Sequence, residues 1–152
     1  MKAFTYLSLF VAALLITACG DGTNAKNNTE TVTQEFQSQL QSEVMAIHDE
    51  VMPKMSEINR ISRALRTYLE ENPDLEADQK ESITKAVSSL DQSGEAMMDW
   101  MSTYGDLTKK FKDMNHDAVR EALEKEKENI TIVKDMMLSG IETGSKLLVE
   151  IQ

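Results

Sequence analysis

Apolar residues recur every three or four positions along most of the chain after residue 35. This spacing follows the α-helical period of about 3.6 residues and not the two-residue alternation of a strand. The first such segment ends at Asn72 and Pro73, because the residue before a proline is disfavoured in a helix. Its apolar positions are Phe36, Leu40, Val44, Ile47, Val51, Met55, Ile58, Ile61 and Leu65.

The predicted start of this helix is the Thr31-Val32-Thr33-Gln34 sequence, whose hydroxyl and amide groups can cap backbone donors. Pro53 lies inside the segment but does not change the phase of the apolar positions. At about 100° per residue, Pro53 points away from the apolar stripe. We therefore expect a kink at Pro53 rather than the end of the helix.

A second segment with the same periodicity follows a turn predicted over residues 72–77. Its first residues, Asp78-Gln79-Lys80-Glu81, resemble a capping box, which predicts a helix start at Asp78. The helix is expected to end near Tyr104, with Gly105 as its C-cap. Its core positions are Ile83, Val87, Leu90, Gly94, Met97, Met101 and Tyr104.

A third helix is predicted from His116 to Glu150, after an ambiguous stretch at residues 106–115. Gly140 and Gly144 lie one turn apart in this helix, and we expect them to let the turn at 72–77 pack closely on it. Charged neighbours argue against a membrane dimer motif at these glycines. Its core positions are Val119, Leu123, Glu126, Ile130, Val133, Met137, Gly140, Gly144, Leu147 and Ile151.

Three helical segments with short connections predict an all-α fold. The expected architecture is an antiparallel up-down-up three-helix bundle with long, coiled-coil-like helices. No segment of the mature chain shows the alternation that is typical of strands. We expect the bundle to form one domain over residues 32–152.

The first 19 residues look like a bacterial lipoprotein signal. Lys2 precedes an apolar run from Ala3 to Ile16, which leads into Ile16-Thr17-Ala18-Cys19. The run is too short for a retained membrane span and has no stop-transfer flank. Its resemblance to a lipobox implies cleavage before Cys19 and acylation of that residue, so residues 1–18 are the signal peptide. An uncleaved helix and a plain signal peptide are the alternatives.

Residues 19–31 are predicted to form the lipidated Cys19 and a flexible tether, because this stretch has almost nothing to bury. Two or more acyl chains on one residue anchor a protein stably in a membrane. Gly20 stands where an aspartate would resemble the inner-membrane retention signal of enterobacterial lipoproteins. The expected location is therefore the cell envelope, lipid-anchored at the outer membrane. Since Cys19 is the only cysteine, packing alone must stabilise the domain.

The chain is acidic, with a formal net charge of −10 at pH 7. This charge argues against nucleic acid and against anionic lipid surfaces as partners. It is also typical of an ordinary soluble surface. The expected partners are the membrane, through the N-terminal lipid, and an envelope protein. Because no His-Glu-x-x-His, phosphate loop, nucleophile elbow or Cys-x-x-Cys occurs in the sequence, we predict that the protein is not an enzyme.

Methionine is the residue type that suggests chemistry, since the chain has 10 of them and seven of the nine after Met1 lie in three short stretches. Folding the first two helices back about residue 75 places Met52 level with Met98 and His48 level with Ser102. Thioethers and imidazole together are ligands that Cu(I) and Ag(I) prefer. The candidate metal ligands are His48, Met52, Met55, Met98 and Met101, with Met97, Trp100 and His116 near the same layer.

Plain core packing is the alternative for this layer, because methionine fills irregular gaps and favours helices. Cu(I) is accordingly a possible ligand and not an expected resident cofactor. Asp113 and His116 have the spacing of half a di-iron motif, but that chemistry needs a second pair, which the sequence lacks.

Two stretches, His48-Asp49-Glu50-Val51-Met52-Pro53-Lys54-Met55 and Met97-Met98-Asp99-Trp100-Met101, resemble a group of small uncharacterised lipoproteins of the Bacteroidota. Some of these are labelled "viral A-type inclusion protein". The likeness covers most of the mature chain and implies a helical envelope protein, without assigning functional residues. The expected function is a lipid-anchored helical bundle with a binding or scaffolding role. Periplasmic soft-metal binding is the alternative.

Overall fold

The computed structural model describes the backbone of residues 22–151 and the side chains of residues 33–151. Its α-helices are α1 (Gly22–Val51), α2 (Met55–Glu71), α3 (Ala77–Thr108) and α4 (His116–Glu150). Two 3₁₀ turns, Met52–Lys54 and Phe111–Asp113, lie between α1 and α2 and between α3 and α4. No strand occurs within residues 22–151, so the predicted all-α fold is confirmed.

Helices α1 and α2 together form the first of three long helical rods, α3 forms the second and α4 forms the third. Pro53 lies in the 3₁₀ turn between them and is exposed, whereas Val51 before it and Ile58 after it are buried. A proline lacks the N–H that an α-helix needs at this point, so the backbone tightens into a 3₁₀ turn. The apolar stripe keeps its phase across Pro53, as predicted, but the prediction of a kink within one continuous helix is wrong, because α1 ends at Val51 and α2 begins at Met55.

Ion pairs between α1 and α4 give the relative direction of these two helices. Glu43 pairs with Lys127 at 2.7 Å, and Glu50 pairs with Lys134 at 2.6 Å. The two pairs are seven residues apart on α1 and seven residues apart on α4, and the residue numbers rise in the same direction on both helices. The first and third rods run parallel, as an up-down-up bundle requires.

Contacts between α2 and α3 run in the opposite sense. Met55, at the start of α2, packs over Gly94, whereas Ser62, further along α2, donates a hydrogen bond of 2.8 Å to Asp91. Residue numbers on α3 thus fall as those on α2 rise. The second rod is antiparallel to the first.

Gly140 and Gly144 mark the close approach of α4 to the other two rods. Gly140 faces Leu90 and Ser93, and Gly144 faces Leu90 and Ile61. The partners of these glycines are therefore the middles of α2 and α3, and the prediction that they receive the turn at 72–77 is wrong. The antiparallel crossing places that turn beyond the glycines, whereas Ile61 and Leu90 lie level with Gly144 in the centre of the bundle.

The core lies between the three rods and follows the predicted stripes closely. Phe36 is the exception, because 47% of it is exposed. At the level of Phe36, α3 has already ended, so no helix of the second rod covers this ring. The buried hydrophobic residues are Leu40, Val44, Val51, Ile58, Ile61, Leu65, Ile83, Ala86, Val87, Leu90, Met97, Trp100, Tyr104, Val119, Leu123, Ile130, Val133 and Met137.

The start of α1 differs from the sequence prediction. The helix begins at Gly22, so the backbone of residues 22–31, predicted as a flexible tether, is helical, and Thr31 is not a helix cap. Once a helix is nucleated, each further residue adds one backbone hydrogen bond. From the packed part of α1, the helix therefore continues towards the N-terminus through residues that are individually weak helix formers.

The ends of α3 also differ from the prediction. The helix begins at Ala77, one residue before the predicted start, and continues through Gly105 to Thr108. The Thr108 hydroxyl donates to the Gly105 carbonyl at 3.1 Å, and Lys109 pairs with Asp106 at 2.8 Å. These contacts support one further helical turn, so Gly105 is an interior residue and its prediction as a C-cap is wrong.

Candidate functional site

Two sets of candidate residues come from the sequence: the acylated Cys19 and the layer of methionine and histidine. Cys19 and the predicted signal peptide at residues 1–18 lie outside the described residues. The candidate metal ligands lie on α1, α2, α3 and the 3₁₀ turn between α1 and α2. All five candidate ligands therefore lie within the described residues.

Helices α1 and α3 bring His48 and Met101 into contact. His48 Nε2 lies 3.3 Å from Met101 Sδ. The antiparallel register predicted from the sequence placed His48 level with Ser102, one residue from the contact that the structure contains. Of the candidate metal ligands, His48 and Met101 therefore lie in contact.

His48 is enclosed by the bundle on most sides, with 14% of its side chain exposed. Its Nδ1 lies 2.8 Å from Asp49 Oδ1, and because a carboxylate only accepts, the imidazole Nδ1 is the donor. The Trp100 ring lies beside it, with a distance of 5.7 Å between ring centroids. This hydrogen bond fixes the ring and directs Nε2 towards α3.

Met55 and Met98 lie apart from the His48–Met101 contact, in a groove of about 360 Å³ between α2 and α3. Met98 is 51% exposed there. Residues three positions apart on a helix point about 60° apart, so Met98 faces this groove while Met101 faces His48. The single predicted layer is therefore divided into two groups, and Met52 is half-buried against the core.

His116 does not join either group. Its ring Nδ1 lies 3.2 Å from Gln37 Nε2, and its carbonyl accepts a hydrogen bond of 2.9 Å from the same amide. Gln37 precedes His48 by three helical turns, roughly 16 Å along α1. The inclusion of His116 in the layer is thus wrong, whereas its prediction as the first residue of α4 is confirmed.

A buried polar cluster continues from His48 towards the end of the bundle. Trp100 stacks on Tyr104 with 4.8 Å between ring centroids. Trp100 Nε1, Tyr104 Oη and Glu126 Oε2 are buried without a hydrogen-bond partner, while Glu126 Oε1 accepts from Asn129 at 3.1 Å. The four-three spacing predicts the burial of Tyr104 and Glu126, but it does not show that their polar atoms converge with Trp100.

Burial raises the pKa of the Tyr104 hydroxyl; the Gln41 side chain opposes this shift and the negative charge of Glu126 adds to it. A raised pKa stabilises the folded protein fully below the pKa of an unfolded tyrosine, about 10. That stability is lost as the pH rises through the folded pKa. We expect the free energy of unfolding to fall above about pH 10, and to fall less steeply in Tyr104→Phe.

Urea unfolding of both proteins between pH 8 and pH 11 measures this difference. At pH 8 the Tyr104 hydroxyl is neutral in both the folded and the unfolded chain, so its titration adds nothing there to the difference in stability between the two proteins. Parallel curves for the two proteins across the whole range would contradict the prediction.

No helix in the described part of the chain is long and apolar enough to cross a membrane. Within the same residues, no group of three or more His, Cys, Asp or Glu side chains is placed to hold a metal ion.

Comparison with known proteins gives no match to a family model, to a curated protein or to a solved structure.

Proposed function

We propose that the protein is a lipid-anchored helical bundle of the cell envelope, held at the outer membrane, that acts by binding and not by catalysis. The anchor is supported by the lipobox-like ending of the apolar N-terminal run at Cys19. Gly20, and not an aspartate, directly follows Cys19, which favours the outer membrane. The binding role is supported by the groove between α2 and α3.

The anchor can be tested by the intact mass of the protein extracted from membranes. The expected mature chain begins at Cys19 and carries the added mass of two or more acyl chains. A mature chain that begins at another residue, or one without added mass, would contradict the anchor while leaving the groove untouched.

The observation that carries the binding role is that the α2–α3 groove has methionine side chains in its wall and remains open. A folded protein usually covers such apolar side chains, and flexible thioethers adapt to the shape of a partner. The groove has a volume of about 360 Å³. Met98 is exposed in this groove and Met55 is half-buried, while the buried Ile58, Leu90 and Gly94 form its floor.

The polar residues of the groove indicate the charge of the partner. Asp91, Glu95 and Asp99 line it together with the neutral Asn59. Arg66 pairs with Asp91, but Glu95 and Asp99 are exposed. Open methionine side chains flanked by carboxylates match an amphipathic helix with basic residues beside its apolar face. We therefore propose that the partner is an envelope protein that presents such a helix.

Photo-crosslinking in intact cells tests this proposal. A benzophenone side chain at position 98 should give a discrete adduct, whereas the same group at Met136 should not. Met136 is a suitable control because it is a partly exposed methionine, 37% exposed, on α4. Adducts of equal yield at both positions would contradict a specific groove.

Charge reversal separates docking from chance proximity. Glu95→Lys with Asp99→Lys should lower the yield of the adduct at position 98 several-fold, because the partner is basic. Glu121→Lys with Glu128→Lys, the same change on α4, should leave it unchanged. If both pairs of changes have the same effect, the groove does not select its partner by charge.

A further inference from the structure

The contact between His48 and Met101 places two electron-pair donors against each other when the imidazole is neutral. In that form Nδ1 carries the proton that is donated to Asp49, so Nε2 presents a lone pair. The thioether sulfur of Met101 has lone pairs and no proton. These atoms are 3.3 Å apart, so an electron-pair acceptor between them is needed to make the contact attractive.

Two electron-pair acceptors would make this contact attractive. One is a second proton on the imidazole, and the other is a metal ion that both atoms bind. A thioether is a weak hydrogen-bond acceptor but a good ligand for a soft metal ion. A carboxylate that receives the other ring proton is the usual outer partner of a metal-bound histidine, because it fixes the tautomer and the ring orientation. Asp49 occupies this position.

We propose that His48 Nε2 and Met101 Sδ bind one Cu(I) or Ag(I) ion, with Asp49 as the residue that positions the imidazole. Imidazole and thioether are neutral, soft ligands of the type that these ions select. The His48 side chain is only 14% exposed, which limits access of water and oxidants. The Trp100 ring lies beside the imidazole, with 5.7 Å between ring centroids, and shields this side of the histidine.

Met52 supplies the third ligand. It follows His48 by four residues, at the first position of the 3₁₀ turn that ends α1, which places it about one turn from His48 on the same side of this rod. The side chain is half-buried against the core and unbranched, which allows it to turn towards a metal ion. The sequence-based set is thus narrowed to His48, Met52 and Met101.

Met55 and Met98 are excluded from this site because they line the α2–α3 groove. The metal site goes beyond the proposed docking function and does not depend on it. Variants of His48 and Met101 test the metal site, whereas variants at Glu95 and Asp99 test the groove. Either proposal can therefore fail alone.

The single tryptophan of the chain reports on the site directly. Full-length protein in detergent is titrated with Ag(I) in a nitrate buffer free of chloride, and Trp100 fluorescence is followed. We expect a saturable change that is complete at one ion per chain. Cu(I) affinity is then measured under reducing conditions by competition with a coloured Cu(I) chelator.

Met101→Leu and Met98→Leu form a matched pair, since both conserve volume and lie three residues apart on α3. We expect Met101→Leu to lose at least about tenfold in Cu(I) affinity, the scale seen when the shell of a metal site is damaged. His48→Gln should lose at least as much, and Met52→Leu should also weaken binding. Met98→Leu should bind as the wild type does.

Circular dichroism of each variant confirms that the helices are retained, so that lost binding reports on the ligands. Equal Cu(I) affinity of the wild type and Met101→Leu would overturn the site. A similar loss in Met98→Leu would do the same, because it would indicate non-specific thioether binding. An unchanged affinity in Met52→Leu would remove Met52 from the ligand set.

Discussion

Replacing Cys19 by serine is expected to move the protein from the membrane fraction to the soluble fraction, or to stop its processing. Serine has no thiol to acylate, and no helix within residues 22–151 is long and apolar enough to replace the acyl chains as an anchor. Each methylene that a lipid chain buries contributes about 0.8 kcal/mol, so the loss of two or more chains removes most of the membrane affinity.

Fractionation of cells that produce the wild type and Cys19→Ser measures this effect, with the size of the chain reporting cleavage. Thr23→Ser is the matched control, because it also introduces a serine but lies after the proposed cleavage point. A cleaved Cys19→Ser protein that still sediments with membranes would show that another feature attaches it.

Gly144→Ala is expected to destabilise the bundle, although alanine is the better helix former. A Cβ atom at this position would lie 2.6 Å from Ile61 Cγ2 and 3.0 Å from Leu90 Cδ1. Both neighbours are fully buried, so neither can move without disturbing the core. Overpacking of this kind costs about 1–3 kcal/mol, and helix propensity returns only about 1 kcal/mol.

Gly140→Ala is the matched control, one turn earlier on the same helix. Its added Cβ would lie 3.5 Å from the nearest atom of Leu90, which is ordinary contact. This variant should keep or gain stability, so the two alanine variants should differ by about 2 kcal/mol in free energy of unfolding. Urea unfolding followed by Trp100 fluorescence measures both, and equal stabilities would mean that α4 can shift to accept the extra methyl group.

The sequence by itself determined the three rods and the residues that face the core. Glu126 illustrates this, because the four-three spacing placed a charged residue at a core position and the structure buries it. The register between the first two rods could also be predicted from the sequence, since a short turn aligns antiparallel helices to within about a residue. His48 accordingly meets Met101, next to the residue predicted to lie level with it.

The ends of the helices were harder to predict from the sequence, because they depend on the small energies of local contacts. Gly105 has the residue type of a C-cap, yet the helix continues through it to Thr108. The contacts of Thr108 and Lys109 in the last turn are each weak, but together they outweigh the preference of a single glycine.

The chemistry of the candidate site was decided only by the tertiary structure. Periodicity places Met98 and Met101 on neighbouring parts of one helix surface, but it does not say which of two adjacent helices each side chain will touch. That depends on where α1 and α2 cross α3, which the packing of all three rods fixes together. The structure therefore directs Met101 to His48 and Met98 to the groove, and it places Ile61 against Gly144 for the same reason.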